Sequence, residues 1–187
     1  NNGVSVVIFP EGKRSINGEI SRFHKGAFYL SEKLNVNITQ ILLHGYNHCL
    51  KKGDFFFNKG KLSLSVLDPI KHDDSTWGDN YKNRSKKSCK HYRTQFEKIT
   101  NETETSQYLF NTILSTYLFK GPVTEWYFRV KWKLEQKNYT HYDTLIGEND
   151  TVLDVGCGLG YMSFFLALRG KNRKIYGYDF DQSKIEF

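Results

Sequence analysis

The chain has 187 residues, of which 39% are hydrophobic, and its 27 lysines and arginines exceed its 20 acidic residues, giving a formal net charge of +7. The mean hydropathy is −0.58, and no apolar run approaches the roughly 20 residues that a bilayer-spanning helix needs. Three cysteines without a C-x-x-C pair argue against a disulfide framework and a zinc site. The positive charge favours anionic partners, although a solvated basic surface explains it equally well.

The two ends of the sequence read as interior positions. The chain begins with Asn1, and the residues up to Phe9 lack the charged front and long apolar run of a signal peptide. The few unpaired cysteines fit a reducing compartment. We therefore expect a segment of a longer protein from such a compartment.

The first seventy residues alternate between strand and helix patterns. The unbroken apolar run 4–9 (VSVVIF) predicts a buried strand that ends at Pro10. Residues 38–43 predict a second strand, and 62–67 alternate apolar residues with serine in the period of a half-buried strand that stops at Asp68-Pro69. Between the first two strands, a helical spacing joins Phe23, Ala27, Leu30 and Leu34.

A polar, charged stretch follows from His72 to Thr105. We expect one basic helix there, near Tyr81–Ile99, with its arginines and lysines on a solvated face. The run from Thr100 to Thr105 is the best linker. The sequence therefore predicts one domain part in residues 1–100, a linker in 101–106 and a second domain part in 107–187.

Two amphipathic helices are predicted after the linker. The first places Phe110, Ile113, Leu114, Tyr117 and Leu118 on one face. The second follows Gly121-Pro122 and places Val123, Trp126, Tyr127, Val130 and Leu134 on one face. Because aromatic and basic residues alternate in the second helix, a position at a lipid interface is an alternative to packing against the following domain.

The C-terminal residues form a strand, glycine turn, helix and strand pattern. Residues 151–155 predict a strand, followed by the glycine turn 156–160 (GCGLG), a helix over 161–169 and a strand over 174–178. Glycines let the turn approach a ligand closely, and the acid that follows, Asp179, can accept hydrogen bonds from ribose hydroxyls. The nicotinamide fingerprint needs glycine where Tyr161 stands, so the pattern favours S-adenosylmethionine.

The segment Val152–Tyr161 (VLDVGCGLGY) closely resembles motif I of class I methyltransferases, and Ile175–Asp179 (IYGYD) resembles their second-strand acidic motif. By that resemblance five residues would bind S-adenosyl-L-methionine: Asp154, Gly156, Gly158 and Gly160 on its methionine side, and Asp179 at its ribose. A Rossmann-like unit without a cofactor is the alternative. The residues that select the methyl acceptor are expected beyond Phe187.

A second motif lies at the front of the chain. Phe9–Ser15 (FPEGKRS) resembles the F-P-E-G-T-R-S block of glycerolipid acyltransferases, the lysophosphatidic-acid-acyltransferase-like family, and 23–28 (FHKGAF) resembles their F-K-K-G-A-F stretch. The resemblance extends over roughly residues 4–70. By it the substrate-binding residues would be Glu11, Gly12, Arg14 and Lys25. Arg14 can place two N–H donors on a phosphate, and a solvated Glu11–Arg14 ion pair is the alternative.

The chain departs from the family pattern in three places. Lys13 replaces the usual threonine, and Thr39-Gln40 lacks the proline common in the later strand. The H-x-x-x-x-D pair whose histidine deprotonates the acceptor is missing, since His48 and Asp54 have the wrong spacing and lie downstream of the block. We therefore assign no catalytic residue in this chain, and we expect it to transfer no acyl group on its own.

The expected fold class is α/β, with a partial acyltransferase domain followed by helices and the first βαβ unit of a Rossmann-like methyltransferase domain. The resemblance implies a bifunctional enzyme that moves an acyl group from acyl-CoA or an acyl-carrier protein to a lipid-like acceptor and also methylates a substrate. A position at the inner face of the cytoplasmic membrane follows, without a nucleic-acid partner. Alternatives are a non-catalytic module that binds acidic lipid or phosphate, and a dinucleotide-binding oxidoreductase.

Overall fold

Helices and strands are both present in the computed structural model, which describes residues 3–15, 18–50, 52–53, 55–170 and 172–185. The chain divides into two units, Asn1–Asn101 and Glu102–Phe187. In chain order the elements are α1 (Gly26–Leu34), β1 (Ile38–His44), α2 (Tyr46–Cys49), β2 (Ser63–Ile70), α3 (Tyr81–Thr103), α4 (Ser106–Ser115), α5 (Pro122–Leu145), β3 (Thr151–Val155), α6 (Tyr161–Arg169) and β4 (Lys174–Tyr178). None of the helices within the described ranges has the length and apolar character needed to cross a membrane.

The first unit contains an antiparallel pair, β1 with β2. The predicted end of β2 at Asp68-Pro69 is wrong, because the strand continues to Ile70 through a register shift opposite Ile38 and Gln40. Proline has no N–H to donate to the neighbouring strand. At the register shift the residue opposite needs no such donor, so Pro69 is tolerated within the strand. The Gln40 side-chain amide donates to the Asp68 carbonyl at 2.5 Å, which satisfies the acceptor left by the shift.

One face of this pair is apolar and exposed. Leu43 lies opposite Leu64 and Ile41 opposite Val66, and all four side chains are 47–66% exposed. The alternation expected for 62–67 is therefore present. The expected burial of its leucine and valine face is wrong, since the partly buried positions are Ser65 and Leu67.

The expected buried strand at 4–9 is also wrong. The segment forms no strand, and Val4, Val6, Val7 and Phe9 are 73–80% exposed. A run of β-branched residues becomes a buried strand only where neighbouring strands pair with its backbone and cover its side chains. The residues that the structure describes supply no such neighbour for 4–9.

The core of the first unit gathers around α1 and α3, where Phe23, Phe28, Ile70 and Cys89 are buried together. Helix α3 also binds the backbone of the loop before α1: the Cys89 Sγ donates to the Ser21 carbonyl at 3.3 Å and the Ser85 hydroxyl to the Phe23 carbonyl at 3.3 Å. The helix predicted at Tyr81–Ile99 is confirmed and continues to Thr103.

The basic run in α3 is not wholly a solvated face. The Arg84 side chain is buried, and its guanidinium donates to the Gly78 carbonyl at 3.1 Å and to the His72 carbonyl. A buried guanidinium needs such acceptors, because an unpaired buried charge is strongly destabilising. Arg84 therefore fixes the chain that enters α3.

In the second unit, β3 and β4 are parallel neighbours with α6 between them in the chain. The bounds predicted for β3, α6 and β4 agree with the structure. The core is mostly aromatic and joins α4, α5 and α6; its buried members are Leu109, Ile113, Leu114, Tyr117, Phe128, Trp132, Tyr139, Tyr161, Phe165 and Leu166.

Helix α5 buries a different face from the one predicted. The expected apolar face is exposed, with Val123 at 78%, Trp126 at 63% and Leu134 at 75%. The buried residues are Phe128, Trp132 and Tyr139, which recur at i, i+4 and i+11. Two apolar stripes compete on this helix, and the one whose buried members are all aromatic fills the core, since three rings remove more apolar area from water than a mixture with valine and leucine.

A buried ion cluster joins the end of α5 to the end of α6 and to the residue before β4. Asp143 accepts from Arg169 Nε at 2.9 Å and from Arg173 Nη1 at 2.6 Å. The Arg173 guanidinium also donates to the Ile146 carbonyl at 2.6 Å and to the Gly147 carbonyl at 3.0 Å. One carboxylate thus compensates two poorly solvated guanidinium groups.

We predict that Asp143→Ala lowers the free energy of unfolding by about 3 kcal/mol or more, because it removes the carboxylate to which two buried guanidinium groups donate. Glu125→Ala is the matched control, since Glu125 pairs with Arg129 at 2.6 Å on the exposed side of the same helix. We expect the control to change stability by less than about 1 kcal/mol. Urea unfolding measures both, and equal losses would show that burial of the cluster is irrelevant.

Candidate functional site

The glycine turn after β3 has a backbone that favours glycine at three positions. Gly156, Gly158 and Gly160 have φ of +79°, +56° and +75°. A Cβ at Gly156 or Gly158 would meet no atom within 4 Å, so the constraint at these two is conformational rather than steric. The turn closes on β4, because the Gly156 N–H donates to the Tyr178 carbonyl at 2.7 Å.

Asp179, directly after β4, holds this turn in place. Its carboxylate accepts from the Gly158 N–H at 2.7 Å and from the Asp181 N–H at 2.9 Å. These bonds to the charged form, the one from Asp181 first, keep the pKa of the Asp179 carboxyl below its usual range. Each carboxylate oxygen has a second lone pair, so further donors such as sugar hydroxyls can still bind.

Asp154 lies at the carboxyl end of β3 and is buried. It accepts from the Ser163 hydroxyl at 2.6 Å, a contact that joins β3 to α6. Burial, together with Asp154 and Asp179, raises the pKa of the Cys157 thiol. The negative potential at this end of the strands therefore favours a cationic group.

A cleft of about 250 Å³ opens between α5 and the glycine turn. It is lined by Lys131, Glu135, Asn138, Tyr139, Tyr142, Asp154, Gly156, Cys157, Tyr161 and Met162. Of the predicted cofactor residues, Asp154 and Gly156 line the cleft. Gly158 and Asp179 are not among its lining residues, and a hydrogen bond joins them to each other. Gly160 forms the N-terminal cap of α6.

The polar groups around the cleft fit a charged amino-acid nucleoside. The buried Tyr161 hydroxyl has no hydrogen-bond partner among the described residues, and Tyr161 lines the cleft. The open space beside Gly156 admits a ligand close to the backbone. Asp154 suits an ammonium group, and the free lone pairs of Asp179 suit ribose hydroxyls.

The front motif forms a loop that is fixed at two points. The Glu11 carboxylate accepts from both the N–H and the hydroxyl of Ser21, each at 2.8 Å. The His24 N–H donates to the Pro10 carbonyl at 2.7 Å. Gly12 has a φ of +67°, and a Cβ there would stand 3.1 Å from the His24 ring. Glu11 thus orients the backbone of the loop through Ser21, and it does not orient the Arg14 side chain.

Arg14 and Lys25 both point into solvent. Both residues are exposed, and within the described ranges neither forms an ion pair. The alternative of a Glu11–Arg14 pair is therefore not what the structure shows. The loop leaves two cations available to an anionic ligand, with Lys25 at the N-terminal end of α1.

Comparison with known proteins gives two separate matches. The family model described as Acyltransferase matches residues 1–43, and the model described as Methyltransferase domain matches residues 146–187. The chain is similar to acyltransferases at its front and to methyltransferases at its end. The glycine turn and Asp179 thus lie in the methyltransferase-like segment, and Glu11, Gly12, Arg14 and Lys25 lie in the acyltransferase-like segment.

Three curated relatives of the chain are all named as acyltransferases. The human 1-acyl-sn-glycerol-3-phosphate acyltransferase beta is 34% identical over 67 residues, which are 36% of this chain and 24% of the relative. The alpha enzyme of Ovis aries is 36% identical over 67 residues, 36% of this chain and 23% of the relative. An uncharacterized acyltransferase of Schizosaccharomyces pombe is 35% identical over 78 residues, 41% of this chain and 28% of the relative.

The chain spans only about a quarter of the length of these relatives. No solved structure matches it significantly. The site residues in both segments accordingly stay predictions.

Sequence reasoning missed the α5 side of the cleft in the methyltransferase-like segment. Lys131 Nζ and Glu135 Oε1 are 3.8 Å apart there, and the Tyr139 hydroxyl donates to Glu135 at 2.7 Å. The signal that could have found them is the opposite-charge pair at i, i+4 beside the aromatic ring of Trp132. The competing apolar stripe of α5, which was expected to pack inward, obscures that signal.

We predict that the Gly158 amide resonance titrates with Asp179 in strong acid. Because the folded-state pKa of Asp179 is lowered, its bond to Gly158 is fully present above the ordinary value of about 3.9. The stability that this hydrogen bond contributes is lost as the pH falls through the lower folded-state pKa of Asp179. A two-dimensional NMR titration measures it; Asp179→Asn should abolish the transition and Asp181→Asn should retain it. A midpoint above the ordinary value would contradict the hydrogen-bond assignment.

Proposed function

We propose that the chain is part of a bifunctional transferase that joins acyl transfer to a glycerophospholipid-like acceptor with S-adenosylmethionine-dependent methyl transfer. The observation that carries the methyl-transfer half is the glycine turn held by Asp179 at the end of two parallel strands. The family match to a methyltransferase domain over 146–187 supports it. The second unit would then be the first βαβ part of a Rossmann-like domain.

The cleft residues have complementary tasks in cofactor binding. S-adenosylmethionine supplies an activated methyl group when it is bound. Asp154 would face the ammonium of its methionine part, and the cation of Lys131 suits the methionine carboxylate. Asp179 would accept from the ribose hydroxyls while it holds Gly158. Together these contacts fix the cofactor's orientation, and positioning is a major source of rate acceleration.

We predict that S-adenosylhomocysteine binds the chain in calorimetry and that Asp179→Ala weakens binding at least about tenfold. The variant removes a charged acceptor for two hydroxyls and the partner of Gly158, and hydrogen bonds to charged groups contribute about 1.5–3 kcal/mol each. Asp181→Ala is the control, because its carboxylate accepts from nearby Ser183, at 3.2 Å from N and 2.6 Å from Oγ, and lies 3.3 Å from Lys184. An equal loss of affinity in both variants would show that Asp179 acts only through its negative charge and not through specific contacts with the ligand.

The acyl-transfer half rests on the front loop and its curated relatives. The relatives carry the name 1-acyl-sn-glycerol-3-phosphate acyltransferase, and the Acyltransferase family match over 1–43 includes the loop that exposes Arg14. A phosphate monoester on a lysophospholipid fits a guanidinium that forms no ion pair with any acid in the described part of the chain. The acyl donor would be acyl-CoA or an acyl-carrier protein, with the enzyme at the inner face of the cytoplasmic membrane. Without an H-x-x-x-x-D pair in the sequence, this chain would bind but not acylate the acceptor.

We predict that Arg14→Ala weakens binding of a short-chain lysophosphatidic acid, below its micelle concentration, by at least about tenfold, the effect of one lost charge-assisted contact. Arg14→Lys should be intermediate, because an ammonium cannot bind two phosphate oxygens in the same fork. Arg22→Ala is the matched control, since Arg22 lies outside the motif. Calorimetry measures all three, and similar losses for Arg14 and Arg22 would leave only a diffuse basic surface.

A further inference from the structure

The loop between α2 and β2 exposes three consecutive phenylalanines. Phe55, Phe56 and Phe57 are 95%, 85% and 76% exposed. Scattered apolar residues are ordinary on a protein surface, whereas contiguous ones mark interaction sites. The surrounding stretch 51–61 (KKGDFFFNKGK) contains four lysines and one aspartate. Apolar rings and positive charges therefore share one short segment of the chain.

The base of this loop is held firmly. The Asn58 N–H donates to the Cys49 carbonyl at 2.7 Å, and the Cys49 side chain is buried. Gly60 lies directly against it, because a Cβ there would stand 2.6 Å from the Cys49 Sγ. The chain thus leaves the unit and returns to it at one anchored point. An anchored base reduces the conformational entropy that the loop would lose on binding.

We propose that this loop inserts into the surface of a membrane that contains anionic phospholipids. The three rings suit the boundary between headgroups and acyl chains, where phenylalanine and lysine act together. Lys52 and Lys59 are exposed and precede and follow the three rings in the chain, so they are placed to meet lipid phosphates. A second copy on the same loop would bring two sets of lysines together, which like-charge repulsion disfavours.

The test uses the 187-residue chain in flotation with vesicles of phosphatidylcholine, with and without phosphatidylglycerol. We expect binding to the anionic vesicles that weakens in high salt. Phe55→Ser should lower the partition coefficient about tenfold, the effect of removing one buried phenylalanine. Phe119→Ser is the matched control, because Phe119 is also 95% exposed but lies in the second unit. Lys52→Glu with Lys59→Glu should lower anionic binding at least about fivefold for each lysine.

Several results would overturn the proposal: no binding by the folded parent chain, equal losses for Phe55→Ser and Phe119→Ser, or unchanged binding when all three phenylalanines are serine. Sedimentation of the same triple variant tests the alternative that a second copy of the chain binds the loop. Dissociation of a dimer, with vesicle binding unchanged, would assign the loop to a second copy. Circular dichroism checks that each variant is folded. The readout is independent of the proposed function, because cofactor and lysophosphatidic acid binding are measured without vesicles.

Discussion

The glycine turn of the second unit combines a left-handed backbone with hydrogen bonds that hold it on two sides. On one side, the end of β4 accepts from Gly156, and Asp179 accepts from Gly158 at 2.7 Å. On the other, the buried Tyr117 hydroxyl donates to the Leu159 carbonyl at 2.6 Å. These three contacts come from outside the turn and add to its internal bond from the Gly160 N–H to the Cys157 carbonyl at 2.9 Å. The position of the turn therefore depends on parallel pairing of the strands and on the helical layer.

That helical layer also sets the opposite wall of the cleft. The Tyr161 ring, at the start of α6, packs edge-to-face on Tyr117 and on Phe128, with ring centroids 4.8 Å apart in both cases. Trp132 stacks on Phe128 at 5.2 Å. Because Lys131 and Glu135 stand one and three positions from Trp132 on α5, the packing of that ring determines how these charges face the turn. A cavity at Trp132 would therefore disturb the cleft as well as the core.

The second unit was more predictable from sequence than the first, for a local reason. Positive φ favours glycine, and an acid at the end of a strand beside such a turn is typical of a nucleoside site, so Gly156, Gly158 and Asp179 carry their own signal. The strand and helix bounds followed because each element is short and strongly patterned. At the front, the F-P-E-G pattern located the loop, but nothing in the residues foretold that Glu11 would bind Ser21 rather than Arg14. Which donor a carboxylate binds depends on which donor the folded chain places near it.

Three of the wrong predictions share one physical cause. The run 4–9, the leucine and valine face of β2 and the outer stripe of α5 were all predicted buried from local periodicity. Periodicity states which residues lie on one face, whereas burial depends on whether another element covers that face. On α5 two stripes have helical periodicity. The residues of α4 and α6 that pack against the helix decide which of the two is covered. The same dependence explains the missed cleft residues, since Lys131 and Glu135 acquire a role only through the ring beside them.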